Sequence, residues 1–483
     1  MTKLNIDITD YFDFDDPMRE RYSKDAVYQG APSCVYRAGD WETVTEVMAY
    51  CNAKQTPITF CGSQTSMTGS SVADDGLALS LSLKNKILDI GKDAKTGTPF
   101  VVTEPGVVLA DLKKAVQEQG YFYPPDPTSY QEALVGSTVA TNATGEGSFK
   151  YGPTRKYVQE LEIILPNGTI KTLVRQKNVP VLILKNTAGY CHEGEEIDEI
   201  IGSEGTLAMI KKIKLNLLED IKPHVFVLVL PFSNFEKSIQ AVSLLLKKET
   251  KPVALELIGP GAADYFKRCS VCPEELKEER SFLYVKEEYA TEAGFKQKTD
   301  EWFKVLTEVY RQVGDHEALD RVFLAQTSQQ LRDIHECRHY IPLMVSEEYF
   351  PFVQNGGGKV GTDWWVPTRH LHDVMLRIYK KALEIKIPFV VFGHIGDGHP
   401  HWNFLTKNAD EYKKAKDFVK TQYEKVVLCG GGVAGEHGLG KIKRDLLSVQ
   451  HSSNIIRKML AMKNKWDPSW MLGRGNIFDY SKK

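Results

Sequence analysis

His394, His399 and His401 fall within eight residues, in the stretch VFGHIGDGHPHWNFL that surrounds Gly396-Asp397-Gly398. Apolar runs at 389–392 and 402–405 read as two strands, with the glycine–aspartate–glycine segment as the turn between them. Across such a hairpin, the imidazoles of His394 and His401 can converge on one ion. His399 and His401, two apart, would instead share a strand face if Pro400 left the strand regular. Both pairings are open at this level. A borderline divalent ion wants a third protein ligand and an open position. Glu436, in Ala434-Gly435-Glu436-His437-Gly438-Leu439-Gly440, places a carboxylate beside an imidazole between glycines. Core histidines bonded to one another are the plain alternative, and the Glu436-His437 pair tips the reading toward a metal site.

A second chemistry is written in three runs of small residues. The first extends from Cys61 through Gly62, Ser63, Gln64, Thr65, Ser66 and Gly69 to Ser71, after the strand-like residues 57–60. The second, from Gly136 to Gly145, follows the rigid Pro124-Pro125-Asp126-Pro127. The third, Gly202-Ser203-Glu204-Gly205-Thr206-Leu207, precedes the strand-like residues 209–217. A small-residue loop leaving a strand exposes successive backbone N–H groups, which bind phosphates. Absent bulky side chains also let the backbone pass close to a flat ligand. Three such loops in one region suggest a large phosphorylated cofactor. Gly430–Gly435 also matches G-x-G-x-x-G after the strand-like Val426-Val427-Leu428. No second strand follows at the distance a βαβ unit needs, and no suitable acid stands about 20 residues on, so a nicotinamide fold is rejected.

The order of these pieces resembles the vanillyl-alcohol oxidase class of FAD-linked oxidoreductases. The likeness is to its D-2-hydroxyacid dehydrogenase branch (D-lactate, glycolate and D-2-hydroxyglutarate dehydrogenases), and it runs from about residue 30 to the end. It implies that the run from Cys61 to Gly69 cradles the FAD pyrophosphate. Pro127, Gly136, Ser137, Thr141, Asn142 and Gly145 would line the flavin and ribityl side. Glu204, Gly205 and Ile210 would close over the nucleotide, and Asn476 belongs to the closing motif. Relatives that bind flavin covalently do so through a histidine in the first loop; Thr65 stands in a loop without one, so non-covalent FAD is expected. Ser137 and Gly473 depart from the usual glycine and asparagine. For the metal, the resemblance implies His394, His401 and Glu436 as ligands and His437 as general base. Zinc is the first choice, with manganese or iron as alternatives. His399 stands where asparagine is common, as a fourth ligand or a substrate contact.

A 2-hydroxy acid brings a carboxylate, which calls for a cation. Residues 330–342 read as a helix stopped by Pro342, with Arg332 and Arg338 as candidates. Arg338 matches the branch's carboxylate-binding arginine, and a guanidinium fork suits that task. Lys359 is a second candidate. The expected reaction is oxidation of a D-2-hydroxy acid, D-lactate first and D-2-hydroxyglutarate or glycolate next, to the 2-oxo acid. Electrons would leave to an external acceptor: an electron-transfer flavoprotein, a quinone or a cytochrome. A flavin-free zinc hydrolase and a non-catalytic flavin subunit are the rival classes.

The elements that must position these groups suggest an α+β chain. Residues 1–219 read as the FAD-binding domain and 220–425 as an α+β substrate domain with an antiparallel sheet. Residues 426–483 read as a segment returning to the first domain. The chain has 483 residues, and its net charge of −2 gives no general hold on nucleic acid. Eight cysteines with a single C-x-x-C, Cys269 and Cys272, contain no iron–sulfur spacing and suit a reducing compartment. The acidic N-terminus lacks a secretion signal. These features predict a cytoplasmic protein; a peripheral membrane contact and a homodimer stay open.

Overall fold

A computed structural model describes residues 8–177, 185, 187–220, 224–248, 251–278 and 280–480. The first seven residues of the acidic N-terminal run lie outside them. The chain divides into two compact units: 1–145, 152–220 and 434–483 form the first, and 146–151 with 221–433 form the second.

The first unit holds two main sheets. In one, Cys34–Arg37, Leu77–Ser80 and Ile58–Cys61 run parallel in that spatial order. The helix Trp41–Lys54 buries Val44, Val47, Met48 and Cys51, an i, i+3, i+4, i+7 stripe, in the same apolar cluster as Ile58, Leu77 and Leu79. The apolar alternation at 77–83 is strand only to Ser80, and Leu83 is exposed. The other sheet is antiparallel, with the order Ile87–Lys92, Pro99–Thr103, Met209–Asn216, Val158–Ile164, Ile170–Val174. The second small-residue run is not a loop throughout: Val135–Thr141 is helical and buries Val135, Gly136, Thr138 and Val139. Tertiary packing has overridden the weak helix propensity of Gly, Ser and Thr there.

The second unit is built on one seven-stranded antiparallel sheet. Its order is Phe323–Ala325, His224–Phe232, Ser281–Tyr289, Ala254–Ile258, Phe389–His394, His399–Thr406, Gly358–Gly361. The helices Ala262–Arg268 and Ser328–Tyr349 share an apolar cluster with Ile258, Tyr284, Val390 and Leu405 on one sheet face. Ser328–Tyr349 begins at a capping box made by Thr327 and Gln330. It does not stop at Pro342, as the sequence suggested, but continues through it. Ile334, Cys337, Ile341 and Val345 form a buried stripe that spans the proline, so packing on both sides offsets the lost backbone bond. Val426, Val427 and Leu428 are likewise helical, ending Ala409–Leu428, which removes the strand that the glycine motif would need.

The hairpin at 389–406 forms as expected, with His394 opposite His399 and Phe392 opposite His401. Gly398 closes its turn at φ 77°, and a Cβ there would meet the Val366 carbonyl oxygen at 1.9 Å. Only glycine supplies that backbone shape and that clearance. Pro400 is tolerated because Gly358–Gly361 pairs only with 403–406, so the proline sits where the strand has a neighbour on one side.

One buried ion cluster supports the first unit. Asp198 accepts from Arg155 Nη1 at 2.9 Å and from Arg175 Nη2 at 2.7 Å, and all three side chains are buried. Burial raises the Asp198 carboxyl, but hydrogen bonds and charge from the two arginines outweigh it and leave it below its ordinary value. A depressed folded-state value means stability that is present near neutral pH and is lost as pH falls through that value. Asp198→Asn should therefore destabilise the chain by about 3–5 kcal/mol, by stranding two buried guanidinium groups. Urea unfolding at pH 7 and pH 4 checks this; the gap between wild type and variant should narrow at the lower pH.

Candidate functional site

The first unit gathers all three small-residue runs. A Cβ on Gly62 would meet Ser137 Oγ at 2.5 Å, so the first and second runs touch. The backbone N–H of Glu204 donates to the Ala140 carbonyl at 2.8 Å, joining the third run to the second. Asn476 Nδ2 donates to the Ser70 carbonyl at 2.8 Å and lies 3.3 Å from the Glu204 carbonyl, bracing the first run to the third. Gly145 passes the Pro-rich turn so closely that a Cβ would stand 1.9 Å from the Asp126 carbonyl oxygen, next to Pro127.

Within the first run, side chains turn back to the protein. Cys61 Sγ donates to the Ser71 carbonyl, Ser63 Oγ to the Glu132 carbonyl at 2.6 Å, and Ser66 Oγ pairs with Ser70 Oγ. Burial pushes the Cys61 thiol up to about 12, so it is a packed thiol and not a nucleophile. Among the described residues, the backbone N–H groups of Ser63, Gln64, Thr65, Ser66 and Met67 donate to no protein acceptor. Gln64 Oε1, Ser71 Oγ and Asn476 Oδ1 are buried without a protein partner among those residues. A row of open amides fits a pyrophosphate, and buried amide oxygens fit sugar hydroxyls, so the donor set suits FAD.

The other residues expected here are placed as follows. Thr141 Oγ1 donates to the Ser137 carbonyl, and Asn142 Oδ1 accepts from Arg155 N–H. Gly205 has φ 68° and faces Phe60, while Ile210 stands in the antiparallel sheet opposite Ile163. Glu204 does not point its carboxylate outward. It accepts from the N–H groups of Leu439 at 2.8 Å and Gly440 at 2.7 Å. That clamp holds the segment that carries Glu436 and His437. Glu436 Oε2 accepts from Thr144 Oγ1 at 2.8 Å, and its other oxygen lies 3.3 Å from His437 Nε2.

In the second unit, strand register puts Glu256, His394, His399, His401 and Lys359 on one sheet face, beside the helix Ser328–Tyr349. His401 Nδ1 lies 3.1 Å from the Thr362 carbonyl, and His394 Nδ1 lies 2.6 Å from Glu256 Oε1. Both partners only accept, so each ring carries a proton on Nδ1. This is the arrangement by which an outer carboxylate or carbonyl orients a metal-binding imidazole. His399 Nε2 lies 3.1 Å from Asp363 Oδ1. Asp363, His399 and His401 offer ligand atoms within 4.8 Å of one another. His394 stands slightly apart, its ring 6.1 Å from that of His401 between centroids.

Arg338 Nη2 donates to Glu256 Oε2 at 2.8 Å. Burial works against the Glu256 anion, but His394 and Arg338 outweigh it and hold the carboxyl at about 2. Burial opposes the Arg338 charge too, and Glu256, Glu146 and Tyr284 more than restore it. Arg332, the other candidate, is exposed and donates to Gln329, away from the group. Lys359 is half-buried, and burial pulls its ammonium below the ordinary value. Sequence reasoning passed over Glu256 and Asp363. The signal for Glu256 was present: a single acid in the otherwise apolar VALELI run.

Open phosphate-ready amides in one unit, and oriented imidazoles beside a half-buried arginine in the other, are the equipment of a flavin-dependent oxidoreductase. Residues 32–174 match the FAD binding domain family, and residues 221–477 match the C-terminal domain of FAD linked oxidases. A D-lactate dehydrogenase from Anaerostipes hadrus is 30% identical over 96% of this chain and 93% of its own length. Glycolate oxidase subunit GlcD of Bacillus subtilis is 28% identical over 96% and 94%. A D-2-hydroxyglutarate dehydrogenase from Stutzerimonas stutzeri is 28% identical over 95% and 94%. A solved alkyldihydroxyacetonephosphate synthase superposes with TM-score 0.66 at 16% identity, covering 96% of this chain and 82% of that one, which speaks for the fold. The chain belongs to the FAD linked oxidases, in the vanillyl-alcohol oxidase class branch that holds these dehydrogenases. No helix among the described residues is long and apolar enough to cross a membrane.

Gly145→Ala forces the second run off the Asp126 carbonyl and should lower the flavin content of the purified chain at least about tenfold, a loss of over 1.4 kcal/mol in binding. Gly39→Ala, where a Cβ meets nothing within 4 Å, is the control and should keep its flavin. Absorbance of the purified proteins in the visible region reads the result.

Proposed function

We propose that this chain oxidises a D-2-hydroxy acid, with D-lactate the first choice, to the 2-oxo acid. The observation that carries the reading is the pair of imidazoles, His394 and His401, whose Nδ1 positions are each held by an acceptor, the arrangement by which outer groups orient metal-binding rings. Three relatives named for D-lactate, glycolate and D-2-hydroxyglutarate chemistry support the substrate class.

His394 and His401 would hold a divalent ion, zinc first and manganese or iron next, with Glu436 the third ligand that the family resemblance implies. Such an ion would make a substrate hydroxyl easier to deprotonate. Bound FAD would supply a ring that accepts the C2 hydrogen with its electron pair. The chain's own residues do the rest. Arg338 binds the substrate carboxylate and fixes its orientation. His437 takes the hydroxyl proton, a task suited to imidazole near neutral pH. His399 contacts the ion or the substrate. The substrate thus loses one proton to His437 and one hydride, leaving the 2-oxo acid. Non-covalent flavin follows from Thr65 and the lack of histidine in the first run. The cysteines are free thiols and carry no iron–sulfur spacing, so the electrons pass to an external carrier: an electron-transfer flavoprotein, a quinone or a cytochrome.

Lys359 favours a second reading. It is half-buried, burial pulls its ammonium below the ordinary value, and no acid among the described residues offsets this. A second substrate carboxylate would offset it, which suits D-2-hydroxyglutarate.

An anaerobic screen of D-lactate, glycolate and D-2-hydroxyglutarate tests the proposal by bleaching of flavin absorbance. D-acids should bleach it and L-acids should not. A chelator should slow bleaching at least about tenfold, and His437→Ala by about 10²–10⁴, the usual contribution of a general base. No bleaching by any acid would remove the reading.

A further inference from the structure

We propose that Glu256 is a positioning residue that couples the ion site to the substrate-carboxylate site, because its two oxygens hold His394 and Arg338 at once. The inference rests on the function proposed above. Glu256 lies on the strand Ala254–Ile258, beside the strand that carries His394. Its Oε1 faces His394 Nδ1 at 2.6 Å, and its Oε2 accepts from Arg338 Nη2 at 2.8 Å. The side chain is only 2% exposed, so water cannot substitute for either partner.

A carboxylate can serve both partners because both of its oxygens accept. A glutamine has one accepting oxygen and one donating nitrogen. In Glu256→Gln, the oxygen stays with the charged guanidinium, which cannot face a donor. The amide nitrogen then faces His394 Nδ1, which must accept. The ring proton then sits on Nε2, the atom through which His394 would bind the ion. If the amide turns the other way, Arg338 loses its partner. One orientation costs the ion and the other costs the substrate anchor.

A neighbouring acid separates this from a general effect of charge. Glu146 Oε2 accepts from Lys286 Nζ at 3.0 Å, and Glu146 also acts on the Arg338 charge. Glu146→Gln therefore removes one negative charge near Arg338 and leaves the His394 tautomer in place.

The test is calorimetric titration of the metal-free, FAD-loaded full chain with Zn²⁺ and with Mn²⁺, paired with kcat and KM for the acid that bleaches best. Glu256→Gln should weaken ion binding 10–100-fold, the usual scale for an outer partner of a metal-binding histidine. KM should rise more than kcat falls. Glu256→Asp, whose shorter arm reaches one partner well, should fall between wild type and Gln, and it carries the test if Gln does not fold. Glu146→Gln should bind the ion as wild type does. Unchanged ion affinity in Glu256→Gln, or an equal loss in Glu146→Gln, overturns the coupling. If wild type binds the ion but no hydroxy acid bleaches the flavin, the substrate reading fails while the ion titrations still judge Glu256. A wild type that binds no ion overturns both.

Discussion

A backbone carbonyl can accept a hydrogen bond but never donate one. The Thr362 carbonyl therefore holds a proton on His401 Nδ1 and fixes which edge of the ring turns away from the backbone. Thr362 can play this part because its neighbours are held. Its N–H donates to the Trp402 carbonyl and its hydroxyl accepts from Trp402 N–H. Val366, four residues on, donates to the Gly398 carbonyl, and its own carbonyl leaves no room for a side chain at Gly398. The hairpin and the 362–366 segment thus fix each other, and His401 inherits its orientation from backbone, while His394 and His399 face the Glu256 and Asp363 carboxylates. Sites borne on strands in this way are held more tightly than sites on loops.

The first unit obeys a different constraint, close approach. Its ligand-facing loops are held by contacts that exclude a single extra carbon: Gly62 against Ser137, and Gly145 against Asp126. Asn476 and Glu204 add directional bonds between runs that are far apart in sequence. Among the described residues the amides of 63–67 find no protein acceptor, while Cys61 and Ser63 of the same run turn their side chains to the Ser71 and Glu132 carbonyls. An anion site made of backbone N–H groups needs this division of labour. The side chains brace the loop, and the main chain faces the ligand.

Much of this was legible in the sequence, and the exceptions have physical causes. The hairpin and the α+β character follow from apolar period and turn chemistry. Three local readings failed. Pro342 does not end its helix, residues 136–141 are not a loop, and 426–428 are not a strand. In the first two, tertiary burial overrode a local preference that sequence windows cannot weigh; the third is the last turn of a long helix, with Leu428 exposed. Arg338 was visible as a cation before a proline, but its pairing was not. Glu256 lies 82 residues from Arg338 and 138 from His394, and no local pattern links them. The Asp363–His399 contact was hidden in the same way, across 36 residues.

The pairing changes what Arg338 can do. Glu256 and Glu146 already balance its charge and that of Lys286, so Arg338 is not a surplus cation waiting for an anion. A balanced guanidinium supplies direction: its fork stays in one plane and defines where a carboxylate would lie. It supplies little net attraction, because the anion it receives competes with one it already holds. On the proposed reading, the favourable field for an anionic substrate must come from elsewhere, and a divalent ion beside the oriented histidines is the strongest source available to such a site. On that reading the arginine would set the pose and an ion would provide the charge. Such a division would give a protein with a well-placed arginine a use for a metal site: a divalent ion eases loss of the hydroxyl proton, and a neutralised arginine cannot help with that loss.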